Sequence, residues 1–236
     1  MPSNLRAPGK IANVFAVESF TDEIAAATGV DPVAFRVKRL SDPRALEVVK
    51  RTAEAFGWKD RTSPNPAAAQ GALLAGRGIA YMRYKQAENY VAMAMDVTVD
   101  PASGRIAVTR VVCAHDCGLI VNPDALKNQI EGCIVQTISR TLHEEVKFDR
   151  SRVTSDDFAG YPILTFPEAP AVEVILVSRP DQPLMGAGEA ATAPVAAAIG
   201  NAFFDATGVR LRTVPFTPDR VKAALAGVGK GSSGVQ

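Results

Sequence analysis

The chain has 236 residues, 47% of them hydrophobic, which is enough to bury a sizeable core as one or two domains. Its 26 Lys and Arg against 25 Asp and Glu leave a formal charge of +1 without any block of like charge, which excludes the electrostatic footprint of a nucleic-acid binder. No apolar run approaches the roughly 18–20 residues that span a bilayer, the start MPSNLRAPGK lacks the apolar core of a secretion signal, and the three cysteines are too few for a disulfide framework, so the chain reads as soluble, with cytoplasm and periplasm both open.

In chain order, VFAVESFTDEIAAATG places Phe15, Phe20, Ile24 and Ala27 near a 3.6-residue spacing and stops at Gly29, which predicts a first helix. Asp31 and Pro32 supply an N-cap and a first-turn proline for a short second helix ending near Leu40, and Pro43 opens a third that ends at Gly57. Residues 1–58 are thus expected as a helical segment. From Lys59 to Gly71 the composition turns to Asp, Arg, Thr, Ser, Pro, Asn and Ala without periodicity, and residues 59–77 are read as an exposed linker.

Residues 78–228 are expected to form the main domain. GRGIAYMRY and YVAMAMDVTVD read as strands, PASG as a turn with Gly104 where positive φ is tolerated, and RIAVTRVVCAH as the return strand. Asn122 and Pro123 cap and open a helix to about Arg140, and strands follow around Tyr161 to Phe166 and Val172 to Val177. MGAGEAATAPVAAAIGNAFFDATG passes from a glycine-rich turn into an alanine-rich helix ending at Gly208, and TPDRVKAALAG makes a last helix before a frayed tail at 229–236. Strands and helices mix without a regular βαβ repeat, so the expected class is α+β, with mixed sheets and packed helices.

Three segments could carry chemistry. In MGAGE, Gly186 and Gly188 remove β-carbons that would crowd a bulky ligand, and Glu189 follows them near the positive end of the next helix; the same carboxylate could also simply satisfy the first turn of an exposed helix. In CAHDCGLIVNP, the alternation of Cys113, His115 and Cys117 invites a metal, but only Cys133 and His143 remain to complete a ligand set, and a buried strand end turning at Asp116 and Gly118 is the better reading. In NQIEGCIVQTISRTL, Gln129, Gly132 and Gln136 share one side of a helix, a surface that suits either a heterocycle's hydrogen bonds or helix packing.

Together, LRAPGKIANVFAVESFTDEIAAATGVDPVAFR, AHDCGLIVNP with NQIEG, and MGAGEAA closing with GVRLRTVPFTPDRV resemble the carboxy-terminal part of the molybdopterin-binding large subunit of the xanthine dehydrogenase and aldehyde oxidase family, of the isoquinoline 1-oxidoreductase and nicotinate dehydrogenase type. The likeness runs from Arg6 to about Leu225. It implies molybdenum held by molybdopterin, as the cytosine dinucleotide in bacterial members, and a hydroxylase that oxidises an N-heteroaromatic or aldehyde carbon with oxygen from water. It implies Glu189 as the general base, Gln129 as a pterin contact in a Q-x-E-G motif closed by Gly132, the backbone of Gly186, Ala187 and Gly188 along the cofactor, and Arg6 near metal and substrate. A carboxylate in an apolar, partly closed pocket is expected to have a raised proton affinity.

The resemblance also implies partners: a small subunit carrying a 2Fe-2S cluster, in some bacterial relatives a cytochrome c, and a small-molecule substrate. Two glycine-rich segments usual in the family, GGxFG-like and MGQG-like, are absent here, so the expectation is a fragment or a split subunit completed by the missing amino-terminal half or a complementary chain, holding its cofactor poorly alone. Two other readings compete: a non-catalytic assembly subunit that keeps the fold, and a nucleotide-binding module, the latter lacking both the Lys-Ser/Thr of a P-loop and dinucleotide spacing.

Overall fold

The computed structural model describes residues 5–85 and 88–231, so the expected tail at 229–236 lies largely outside the described residues. Three helices come first: α1 at Lys10–Ala27, α2 at Pro32–Arg39 and α3 at Pro43–Phe56. Asp31 and Asp42 cap α2 and α3 by accepting from backbone N–H groups of the first turn, each followed by a proline that has no N–H to satisfy. Gly57, at φ 73°, ends α3 in the left-handed conformation that spares the helix a Cβ clash.

Five strands then form one sheet in sequential order: β1 at Ala69–Gln70, β2 at Leu73–Tyr84, β3 at Asn89–Asp100, β4 at Arg105–Asp116 and β5 at Ala171–Leu176. The first four run antiparallel; β5 joins β4 in parallel after a crossover that contains α4 at Pro123–Leu142. Alternation decides the layers. On β3, Met93, Met95 and Val97 face one core, shared with α4 and with α5 at Val195–Thr207, while Ala92 and Ala94 face a second core built with Val48 and Val49 of α3. The last helix, α6 at Pro218–Gly231, reaches the first core through Val221. The mixed sheet packed between helices is an α+β arrangement, and no helix among the described residues is long and apolar enough to cross a membrane.

Three expectations change. Residues 59–77 are not a free linker: β1 and the start of β2 lie within them, and Arg61 and Ser63 are tied to the buried Asp205 of α5. No strand forms at 161–166. Pro162 and Pro167 cannot donate to a ladder, the Leu164 N–H is taken by Ser139 Oγ, and the segment ends in a single 3-10 turn at Phe166–Glu168. On α1, Phe20 is 61% exposed, whereas Glu18, Ser19 and Asp22 are buried.

The reason is the free edge of β2. Beyond Leu74 no strand among the described residues covers it, and side chains satisfy groups along it: Glu18 Oε2 accepts from Tyr81 N–H at 2.8 Å, Asp205 Oδ2 from Arg77 N–H at 3.0 Å, and Asn201 Nδ2 donates to Ile79 O at 3.1 Å. Arg36 lies 2.8 Å from Glu18 and Arg210 2.9 Å from Asp22, so the buried carboxylates are compensated.

Candidate functional site

The glycine loop before α5 is drawn inward by its carbonyls. Gly188 O accepts from Arg6 Nε at 2.8 Å, Arg6 Nη2 at 2.6 Å and Gln129 Nε2 at 2.8 Å, and Arg6 Nη1 continues to Gln136 Oε1 at 3.1 Å. Gly186 O accepts from Asn89 Nδ2 at 3.0 Å. The Asn89 amide is oriented in turn by His115, whose Nε2 lies 2.7 Å from Asn89 Oδ1. Because Asn89 spends its NH2 on Gly186, His115 Nε2 must be the donor, and burial, which pushes this imidazole down to about 4, keeps it neutral.

The start of the loop is set by a close approach. Gly118, at φ +80°, faces Pro183 O, where a Cβ would stand 2.1 Å away, and Met185 N–H donates to Cys117 O at 3.2 Å. Asp116, just before this turn, is fully buried and accepts from Arg44, Arg179 and the Gly118 N–H. The CAHDC segment is therefore an anchor for the loop. Cys113, Cys117 and Cys133 are buried free thiols, and no cluster of three potential metal-ligating side chains occurs among the described residues.

Glu189 closes the loop, partly exposed. Its Oε2 accepts from Ala7 N–H at 2.9 Å and its Oε1 from the Tyr84 hydroxyl. Ala7 is one of two non-glycine residues with positive φ among the described residues, at 62°, a conformation that costs an L-residue about 1–2 kcal/mol and that aims its N–H at the carboxylate. The donated hydrogen bond of Tyr84, then that of Ala7, outweigh partial burial and, with the charges of Lys85 and Arg6, hold Glu189 below the ordinary carboxylate range. This corrects the expected raised proton affinity: the pocket supplies donors, so the anion is favoured.

Of the residues singled out in the sequence, Arg6, Gln129, Gly186, Gly188 and Glu189 thus meet in one place, Ala187 is buried beneath the loop, and Gly132 lies one helical turn from Gln129 on the exposed side of α4. Tyr84, Asn89, His115 and the Ala7 N–H were not foreseen as site groups. Only the period-2 parity of Tyr84 with Ala80 and Met82, all in the same core, hints that it turns inward.

The surface of the site suits a large polar ligand. Among the described residues a Cβ on Gly132 or Gly186 would meet nothing within 4 Å, and one on Gly188 only Gln129 Nε2 at 3.8 Å; none of the three has positive φ, so neither packing among these residues nor backbone conformation requires glycine there. With two carbonyls turned inward, the N–H groups of residues 186–189 find no acceptor among the described residues. Bare backbone, N–H groups without an acceptor among the described residues, and glutamine and arginine side chains fit an oxygen-rich, anionic group. Beside it, an open cleft of ≈ 720 Å³ starts at Ala7 and is walled by Pro8, Ile11, Phe15 and Val146, with Arg140 at one side.

Residues 39–170 match the family model of the molybdopterin cofactor-binding domain. The chain is 49% identical over 233 residues to a nicotinate dehydrogenase subunit of Pseudomonas putida, covering 96% of this chain and 20% of that protein. It is 37% identical over 205 residues to the beta subunit of isoquinoline 1-oxidoreductase of Brevundimonas diminuta, covering 86% of this chain and 25% of the relative. The chain therefore spans a fifth to a quarter of the length of these relatives. Among solved structures, quinoline 2-oxidoreductase from Pseudomonas putida 86 superposes with a TM-score of 0.55 at 30% identity, over 58% of this chain and 19% of that one. Aldehyde oxidoreductase from Desulfovibrio gigas shares the fold, with a TM-score of 0.79 over 95% of this chain and 42% of its own, at 16% identity.

Proposed function

The chain belongs to the molybdopterin cofactor-binding domain family, and on that premise we propose that it is the part of a molybdenum hydroxylase that carries the catalytic base and one wall of the cofactor site. The observation that carries this reading is the convergence of Arg6 and Gln129 on Gly188 O next to a carboxylate held by two donors. Gln129, Gly132 and the backbone of 186–188 would hold the pterin, in this reading as the cytosine dinucleotide, and Arg6 would lie near metal and substrate. When bound, the molybdenum–pterin group supplies the redox step, accepting two electrons from the substrate carbon.

The protein's own task is orientation and proton handling. Glu189 is ionised at neutral pH and takes the proton from the water whose oxygen enters the product, while Tyr84 and Ala7 keep its two oxygens in place. The cleft beginning at Ala7 is of a size for a small substrate, an N-heteroaromatic ring or an aldehyde. Electrons leave through a 2Fe-2S subunit, with a cytochrome c as a further acceptor, and the rest of the large subunit supplies the opposite wall.

The test is made on the assembled complex. Molybdenum, pterin dinucleotide and iron–sulfur content are measured in the native protein and in Glu189→Gln, which is expected to keep all three and to lose about 10²–10⁴-fold in turnover, because an amide cannot take the proton. Unchanged turnover removes Glu189 from the base role; a complex free of molybdenum and pterin overturns the reading as a whole.

A further inference from the structure

The β2–β3 register pairs Tyr84 with Asn89 at the end of the two strands, and these two side chains hold opposite ends of the glycine loop. Asn89 grips Gly186 O at 3.0 Å, and Tyr84 donates its hydroxyl to Glu189 Oε1. Cross-strand partners project from the same face of a sheet, so one rigid feature fixes both the loop and the carboxylate that ends it. The Tyr84 ring is itself fixed: it is only 4% exposed, and Lys10 and Lys85 place their ammonium groups 6.0 and 5.4 Å from its centroid.

From this geometry we propose that Tyr84 is a positioning residue for Glu189, its hydroxyl aiming the carboxylate and keeping it unprotonated. The proposal rests on the reading of Glu189 as the base for its consequence in turnover, but not for its effect on the carboxylate. Two donors serve two different oxygens. Oε2 is held by the Ala7 backbone, which no side-chain substitution removes, so Tyr84 is the adjustable half of the pair. The phenol cannot compete for the proton: burial, then the hydrogen bond to Glu189, push its own ionisation above the ordinary tyrosine value.

The experiment titrates Glu189 in the assembled complex before cofactor loading, by the pH dependence of carbodiimide coupling at that residue read by peptide mass spectrometry, with Glu189→Gln as blank. In Tyr84→Phe, which keeps the ring and its packing, the coupling midpoint is expected to rise by about one pH unit, the worth of one hydrogen bond to a charged acceptor. Fluorinated tyrosine at position 84, a stronger donor of the same shape, is expected to lower the midpoint and serves if the Phe variant fails to assemble. A midpoint that moves in neither protein overturns the proposal. In the loaded enzyme the acid limb of kcat/KM should follow the same displacement; a moved midpoint with an unmoved acid limb would keep Tyr84 in this role and remove Glu189 as the base.

Discussion

Two groups of glycines in this molecule answer to different demands. Gly76 and Gly78 on β2 lie under α5, where a Cβ would stand 2.2 Å from Ala202 O and 2.3 Å from Ala198 O respectively, so the strand and the alanine-rich helix touch backbone to backbone. Among the described residues a Cβ on Gly132 or Gly186 would meet nothing within 4 Å, and one on Gly188 only Gln129 Nε2. The first group is required by the fold. The second has no such contact among the described residues, and glycine in a helix such as α4 or in an exposed loop carries an entropic cost that natural sequences accept where something else approaches the backbone closely. Gly76 and Gly78 share one face of β2 with Tyr84, so the fold-bound glycines and the site lie on the same side of the sheet, near opposite ends of that strand.

The contrast is tested most severely at Gly78. In Gly78→Ala the added methyl meets both Ala198 O and Ala202 N at 2.3 Å, contacts that only a separation of α5 from β2 can relieve. We expect a loss of about 3 kcal/mol or more, read by denaturant unfolding. A stable Gly78→Ala protein would mean that α5 does not sit on the strand.

The loop's anchor lies between the two extremes. Burial pushes Asp116 up, but the hydrogen bonds from Arg44, the Gly118 N–H and Arg179 outweigh it and hold the carboxylate below its ordinary value. A folded pKa below the unfolded one contributes stability that is complete above the unfolded value, near 3.8, and is lost as pH falls through the folded value. Asp116→Asn should therefore cost about 2 kcal/mol at neutral pH and progressively less as pH falls below the unfolded value near 3.8, the difference closing as the native carboxylate is itself protonated at its lower folded value. A difference between the two proteins that does not shrink with acid would show that packing, not charge, makes the anchor.

Much of the architecture is written locally. Asp31-Pro32 and Asn122-Pro123 announce helix starts, Gly57 and Gly208 announce ends, and the PASG turn with Gly104 at φ +77° joins two strands whose burial alternates next to the turn and is continuous farther from it. What is not legible depends on distant partners. Glu18 and Asp22 look like the solvent side of α1 until Arg36, Arg210 and the open edge of β2 are in place, and only then is it clear why Phe20 points outward.

The site divides in the same way. MGAGE is conspicuous because its glycines and its carboxylate are neighbours in sequence. Tyr84, Asn89 and Ala7 reach it across separations of 105, 97 and 182 residues, with no local signature. Those distant donors also reverse the proton affinity expected of Glu189, since an apolar pocket raises a carboxylate's pKa and a ring of donors lowers it. Residue type located the group; only the assembled hydrogen bonds give its charge.

The smallest effect is the most discriminating, because its sign separates the two groups. Gly132 sits inside α4 with helical φ and an exposed backbone, and an added Cβ would touch nothing. If it is glycine for the sake of this chain's own fold, alanine should destabilise. If it is glycine because a bound group lies against the helix beside Gln129, alanine should stabilise the cofactor-free protein by about 0.5–1 kcal/mol, the ordinary helix preference of alanine over glycine, while weakening retention of molybdenum and pterin in the assembled complex. Unfolding of the cofactor-free protein and metal content of the complex, measured on the one variant, are expected to move in opposite directions. Loss of stability would move Gly132 into the company of Gly76 and Gly78, and unchanged metal content would place the pterin away from this face of α4.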